Sequence, residues 1–592
     1  MAKYRLGISS SHNSSVALLD DTGNLRFALQ EERLSRIKNH WSLPEKSLQM
    51  AVDLAGGWSE ISRICFGGII HPATRSPISR EMIKEALLQS VSSHSSLRQM
   101  ASIGLRKLEI LRNREKYITK LKSAYSDRHL QLLHEAFPAS HNIPVDFINH
   151  HDAHFATACF GGPAVSGEDL LVFTYDGQGD GICGTVKVLR ANGQIETLSQ
   201  IEDEHSISTL YGLVTFYLGF VIFEHEYKLM GMAPYANAER SKAITNQLRD
   251  LYDFKNGAWR LKKRLRYTDL DESRFFNELQ RIFKFKRFDE ICAGVQFLVE
   301  DLTTYWISYW INQTGIRKIR CSGGLFLNVK ANMNIMNLDC VDEIFVYPSC
   351  GDETNSIGAA YYSFYRETRK NPAPLRDLGL GRSYTNADAE NAIKAFTSKH
   401  KLGWRVEQIE DIEDKVAELL SQNKVVARIE GREEFGARAL GHRSILANPS
   451  TWHVVTEINH MIKKRDFWMP FACSILEEYA DKYIQNPKKK VCADYMIMCF
   501  PCTTNAGEIT SGTHPQDNTV RAQIVKKDVT PSYHKLISAF QRRSGIGAVL
   551  NTSFNLHGFP LVGSPEDALE VFHNSGLQYL AIENFMLSKQ EL

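Results

Sequence analysis

The sequence predicts an α/β or mixed α+β protein built from more than one domain. Three observations predict it. Short apolar runs of strand length alternate with helical stretches in both halves of the chain, at 4–9, 170–174, 319–322 and 425–429 among others. At 592 residues the chain exceeds what one core holds together. A break at Asn371-Pro372-Ala373-Pro374 ends a helical stretch. It divides the chain into expected domains of residues 1–372 and 376–592.

Composition narrows the class. Apolar residues make up 43% and charged residues 23%, the balance of a soluble globular protein. The net charge of +2 argues against nucleic acid or an anionic membrane as partner. No basic segment followed by an apolar core opens the chain, so no secretion signal is read. The longest apolar run, 210–223, has 14 residues, too few to span a bilayer, and reads as a buried helix. Eleven cysteines without a repeating framework fit a reduced, cytoplasmic protein.

The N-terminus reads as strand, turn and strand. Residues 4–9 lead into Ser10-Ser11-His12-Asn13-Ser14-Ser15 and then into a second strand from Val16. Small-residue turns of this kind present the phosphate loop in actin-like ATPase domains. His12 is the titratable group in the turn. Residues 79–133 are helical and basic and read as inserted helices.

Asn149-His150-His151-Asp152-Ala153-His154 follows. On a helix, His150 and His154 stand at i and i+4 on one face, where two imidazoles can grip one metal ion. The strand at 170–174 then delivers Asp176 at its end, a carboxylate that can be a third ligand. Gly177 and Gly179 in the loop Asp176-Gly-Gln-Gly-Asp-Gly can bring backbone amides close to a phosphate. Lys228 can pair with phosphate or with Glu224 or Glu226. A strand ending in Ser322-Gly323-Gly324 permits close approach of a nucleotide, with Asn328 just beyond. Asp352 opens a small-residue helix, as an N-cap or as a ligand.

In the second half, Arg432, Arg438 and Arg443 are interleaved with glycines in an apolar context. Guanidinium groups brought near a core are expected to bind oxyanions. Lys463, Arg465, His514 and Arg521 add cationic groups. Ser553 and Asn555 follow a strand and can complete a phosphate site.

Taken in order, these motifs resemble the NodU/CmcH-type O-carbamoyltransferases over nearly the whole chain. The resemblance implies an actin-like (ASKHA) N-terminal domain with inserted helices and a YrdC-like α/β C-terminal domain. It implies that His150, His154, Asp176 and Asp352 bind an iron-type metal. Two histidines with two carboxylates suit Fe²⁺, and Zn²⁺ or Mn²⁺ can substitute. The family's N-terminal turn corresponds to His12-Asn13-Ser14-Ser15, its Gly-Gly-x-x-Leu-Asn motif to Gly323 through Asn328, and its Glu-x-Lys-x-Met-Gly motif to Glu226 through Gly231. Its Lys-x-Arg and Ser-x-Asn signatures fall on Lys463, Arg465, Ser553 and Asn555. The chain departs from the family at Met469 and Phe559, which stand for a usual Arg and Glu, and in a 514–521 loop one residue longer.

The implied chemistry has two steps. Carbamoyl phosphate and ATP, with Mg²⁺, yield carbamoyl-adenylate in the C-terminal domain. The carbamoyl group then passes to a small-molecule hydroxyl acceptor, such as a secondary metabolite or sugar, in the N-terminal domain. His12 is the expected general base and His151 its rival. The acceptor and the oligomeric state are left open. Three other readings compete: a fused threonylcarbamoyl-transfer enzyme acting on tRNA, a non-catalytic nucleotide-binding scaffold, and a sugar kinase that would yield ADP rather than AMP.

Overall fold

The computed structural model describes residues 3–91, 97–164, 167–262, 265, 273–486, 490–491 and 493–589. Contacts divide the chain into two units. One joins Met1–Asn24 with His40–Pro374, and the other joins Leu25–Asn39 with Leu375–Leu592.

Two sheets in the first unit repeat one plan. In the first sheet, Tyr4–Ser9 and Ser15–Asp20 form an antiparallel hairpin. Ile61–Gly67 then runs parallel to Tyr4–Ser9, and Val145–Ile148 parallel to Ile61–Gly67. In the second, Leu170–Gly179 and Ile182–Leu189 form the hairpin. Lys318–Ser322 and Glu343–Val346 add the parallel strands, while Ile195–Glu202 lies outside Ile182–Leu189. This duplicated arrangement is actin-like. Strands Lys318–Ser322 and Glu343–Val346 are buried along nearly their whole length, as parallel strands in the middle of a covered sheet are.

Helices His150–Gly161 and Asn355–Thr368 pack against each other and against these sheets. Their contact is close: a Cβ on Gly358 would stand 2.1 Å from the Ala153 carbonyl oxygen. Glycine there lets the two backbones touch, which carries the start of one helix up to the histidines of the other. The basic stretch forms helices Arg80–Val91 and Leu97–Ala136, the second broken at Asn113. The apolar run at 210–223 is helical only to Tyr217. It leaves the helix through Gly219 at φ 83° and ends with Phe223 exposed.

The second unit centres on an eight-stranded mixed sheet. Its strands lie in the order Arg405–Gln408, Phe585–Ser588, Tyr579–Ile582, Val426–Ile429, Arg443–Ala447, Ala548–Ser553, Ala472–Leu476, Ala522–Val525. Leu550, Ile445, Ile429, Phe572 and Leu580 form part of its core, each fully buried. Helix Ile412–Ser421 packs against Pro531–Ser544. Among the described residues no helix is long and apolar enough to cross a membrane.

Candidate functional site

Four side chains expected to share a metal converge. His150, His154, Asp176 and Asp352 place ligand atoms within 4.8 Å of one another. His154 Nε2 lies 3.3 Å from Asp176 Oδ2 and 3.8 Å from Asp352 Oδ1. His150 Nε2 lies 3.6 Å from Asp352 Oδ1 and 4.0 Å from Asp176 Oδ2. Ligand atoms each about 2.1 Å from one ion stand roughly 3–4 Å apart, so the spacing suits a shared cation.

Local structure explains the convergence. Asn149 caps the helix by accepting the His151 N–H, which starts it at His150. Asp180 accepts the His150 N–H at 2.7 Å and the Ile69 and Ile70 N–H groups at 2.9 and 2.7 Å, fixing that helix end. The Asp176 carboxylate accepts N–H bonds from Gly177 at 2.6 Å and Gly324 at 2.8 Å. The loop glycines serve this packing. A Cβ on Gly179 would meet the His150 ring at 2.3 Å, and one on Gly323 the Tyr175 carbonyl oxygen at 2.3 Å. At Gly179 and Gly323 the space expected for a phosphate or nucleotide is filled by the imidazole and by the backbone of the neighbouring strand, whereas a Cβ on Gly177 would meet nothing within 4 Å.

The donor set fits a metal. Both Nε2 atoms are buried and have no hydrogen-bond partner, a costly arrangement unless an electron-pair acceptor is bound. His154 Nδ1 lies 3.2 Å from Ser322 Oγ. His150 Nδ1 lies 3.3 Å from the Asn355 amide, whose Oδ1 has no partner. Turned over, that amide accepts Nδ1–H and leaves Nε2 its lone pair, as a metal-binding imidazole requires. Burial pulls the His150 pKa down, but the charge of Asp352 and the contacts of Asp176 outweigh it and lift it to about 9. The Asp352 carboxyl, despite burial, is held well below its ordinary range by His12 and His150. A field that holds protons this firmly also attracts a divalent cation.

A second cluster, Glu202, Glu204 and His205, has similar spacing. There the Leu261 N–H donates to His205 Nδ1 at 3.3 Å. That backbone donor cannot turn over, so neutral His205 carries its proton on Nε2, 3.3 Å from Glu202. The cluster is a histidine–carboxylate pair.

His12 joins the first cluster. Its Nδ1 lies 3.2 Å from Asp352 Oδ2, the oxygen not facing the other imidazoles. Burial works against the proton, but Asp352 raises the His12 pKa to about 9. His151, the rival base, points elsewhere. Thr174 Oγ1 meets its Nδ1 at 2.9 Å and the Ile182 carbonyl its Nε2 at 3.2 Å, so both nitrogens are engaged. One residue along a helix turns a side chain through about 100°, off the metal face. Lys228 is buried with its ammonium over the Phe220 ring, while Glu224 pairs with Arg80. Asn328 caps helix Val329–Met336 and pairs with Gln296.

In the second unit, Arg438, Arg465 and Arg521 line one pocket with Asn551, Thr552 and Ser553. Arg465 donates to Thr552 Oγ1 at 3.2 Å and stacks over Phe471. Lys463 is buried and donates to Ser553 Oγ at 3.0 Å and Asn555 Oδ1 at 2.7 Å. Burial, then the neighbouring Arg465, pushes its pKa well down.

Arg432 and Arg443 do not join this pocket. Arg432 donates to the carbonyls of Gly381, Leu380 and Arg26. Arg443, fully buried, donates to those of Glu430, Gly431 and Gly563. Strand ends leave carbonyls that a guanidinium satisfies as well as an oxyanion would occupy it. His514 accepts the Gln516 N–H at its Nδ1, within its own turn. In that loop Asn518 adopts the left-handed region at φ 50°.

Ser322, Asn355 and Asp180, none of them an expected site residue, contact the His154 ring, the His150 ring and the His150 N–H. Each lies within four residues of a ligand or a flagged glycine. The signal was proximity, which alone does not set direction.

Comparison with known proteins identifies the family. A family model described as Carbamoyltransferase N-terminus matches residues 4–361, and one described as Carbamoyltransferase C-terminus matches residues 417–589. Nodulation protein NolNO of Sinorhizobium fredii is 28% identical over 98% of this chain and 79% of its own length. Nodulation protein NolO of Bradyrhizobium diazoefficiens is 30% identical over 75% of this chain and 79% of its own. The 3'-hydroxymethylcephem-O-carbamoyltransferase of Amycolatopsis lactamdurans is 25% identical over 46% of this chain and 48% of its own. Matched in both halves, with a histidine–carboxylate cluster in one and an arginine pocket in the other, the chain belongs to the carbamoyltransferase family.

Proposed function

We propose that the chain is an ATP-dependent O-carbamoyltransferase. In the second unit carbamoyl phosphate, ATP and one water give carbamoyl-adenylate, pyrophosphate and phosphate. In the first, a hydroxyl oxygen attacks the carbamoyl carbon and AMP leaves. The observation that carries this reading is the four-ligand cluster with His12 on its rim.

His150, His154, Asp176 and Asp352 would hold a divalent metal, Fe²⁺ by the balance of nitrogen and oxygen donors. When bound, it supplies Lewis-acid charge beside the acyl group. The remaining work falls to side chains. In its neutral form, His12 keeps Nδ1–H directed at Asp352 and takes the hydroxyl proton on Nε2 as general base, a form that gains population as pH rises towards 9. Arg438, Arg465 and Arg521 neutralise phosphate charge as it builds on the leaving pyrophosphate. Mg²⁺ arrives with ATP. Lys463 positions Ser553, a residue of that pocket, by donating to its hydroxyl and to Asn555.

The test is incubation with ATP and carbamoyl phosphate, following pyrophosphate and AMP, with mass spectrometry of candidate alcohols. Acceptors should gain one carbamoyl group and AMP should accumulate. Release of ADP without carbamoyl gain would overturn the reading in favour of a kinase.

A further inference from the structure

The turn that joins helix Ser273–Phe283 to helix Phe288–Thr314 is Lys284-Phe285-Lys286-Arg287, and all four residues are exposed. Phe285 is 95% exposed, whereas Phe283, two residues before it, is 1% exposed. An isolated apolar side chain at a surface is ordinary. Phe285 differs because its backbone also lies in the left-handed region, at φ 61°. A bulky residue enters that region only at a cost, and glycine enters it freely. The turn is closed by the Lys286 N–H, which donates to the Phe283 carbonyl at 2.9 Å, a bond that needs no side chain at 285. Neither burial nor backbone geometry accounts for a phenylalanine there.

The surroundings of the ring are cationic. Lys284 Nζ stands 5.1 Å from its centroid, and Lys286 follows it in the chain. The arginines nearby are paired: Arg287 with Asp289 at 3.0 Å, Arg281 with Glu278 at 2.7 Å and Arg240 with Glu290 at 3.4 Å. Among the described residues no carboxylate pairs with Lys284 or Lys286, so the tip carries surplus positive charge. The net charge of the chain averages over the whole surface and does not register this tip.

We propose that this turn docks the protein on an anionic phospholipid bilayer. A ring on a convex tip enters the boundary between headgroups and acyl chains. The lysine stems lie along apolar surface while their ammonium groups meet lipid phosphates. A single-stranded nucleic acid would use a groove with several rings in succession, and the turn offers one. The attachment is weak and salt-sensitive. Each lysine adds about five-fold to affinity for an anionic surface, an effect that fades within a Debye length.

The test is co-sedimentation of the full chain with vesicles at low ionic strength. One set is phosphatidylcholine alone, and the other contains about one-third phosphatidylglycerol. The wild-type chain should bind the anionic set, ignore the neutral set and be released by salt. Phe285→Gly, which removes the ring and relieves the backbone, should weaken binding about ten-fold or more. Its Tm should stay at or above the wild-type value, so the loss is not one of folding. Lys284→Glu with Lys286→Glu should abolish the preference for anionic vesicles. Trp452→Ser, at a 45% exposed position elsewhere, should bind as wild type does. The proposal is overturned if the wild-type chain does not favour anionic vesicles, or if the Phe285 and lysine variants bind as tightly as wild type. It is equally overturned if wild type ignores vesicles and Phe285→Gly instead dissociates an oligomer or abolishes binding of a single-stranded oligonucleotide. Those results assign the tip to a second copy of the chain or to nucleic acid.

Discussion

His12 and Asp352 meet through one carboxylate oxygen: Nδ1 of the histidine lies 3.2 Å from Oδ2. The other oxygen, Oδ1, faces His150 and His154 at 3.6 and 3.8 Å. One carboxylate thus serves the ligand cluster and orients the imidazole beside it. Replacing His12 with Asn should remove the proton acceptor and lower carbamoyl transfer by about 10²–10⁴-fold. Metal content, read by elemental analysis of the purified variant, should stay at the wild-type level. Asp352→Asn should lose both.

Asn355 orients His150 without belonging to the four-ligand cluster. Asn355→Leu should weaken metal affinity by about 10–100-fold, the usual effect of losing an orienting partner. Competition with a chromophoric chelator measures it. Unchanged affinity would show that the His150 ring is held by packing alone.

The arginines separate by their neighbours. Arg438→Ala and Arg521→Ala should raise the KM for ATP or carbamoyl phosphate, because both line the pocket. Arg443→Met should instead lower stability, by on the order of 3 kcal/mol, because it strands several buried carbonyls. Urea unfolding of the variants distinguishes the two effects.

Glu226 gives a pH signature. Burial raises its pKa from 4.5 to about 7. Below pH 4.5 folded and unfolded chains both carry this proton, and between 4.5 and 7 only the folded chain keeps it. Its contribution to stability therefore falls as pH rises through that window and levels off above 7, by about 3 kcal/mol in total. Glu226→Gln should flatten the slope of stability against pH there. An unaltered slope would show that the carboxyl is ionised in the folded state.

Much of this was legible in the residues. The spacing of His150 and His154 gave their common face, and the buried strand before Asp176 gave its delivery. Pairing Asp352 with them is a long-range event that spacing does not encode. It depends on the close approach of two helices at Gly358, where Ala153 supplies the contact. In sequence the glycine loops resemble phosphate cradles, because a glycine's need for space looks alike whether a ligand or an imidazole fills it. Gly179 accommodates His150. The arginine-rich stretch was over-read for a related reason. A buried guanidinium demands oxygens, and the chain's own carbonyls met the demand at Arg432 and Arg443.

In the proposed division of labour, one histidine–carboxylate cluster serves the transfer step and the arginine pocket serves the adenylation step. The most direct measurement is made on His150→Ala supplied with ATP and carbamoyl phosphate, following metal content, pyrophosphate release and carbamoyl gain together. The account predicts that metal and transfer are lost while pyrophosphate release continues. Transfer at the wild-type rate by the metal-free variant would contradict it, as would loss of pyrophosphate release from a chain that remains folded.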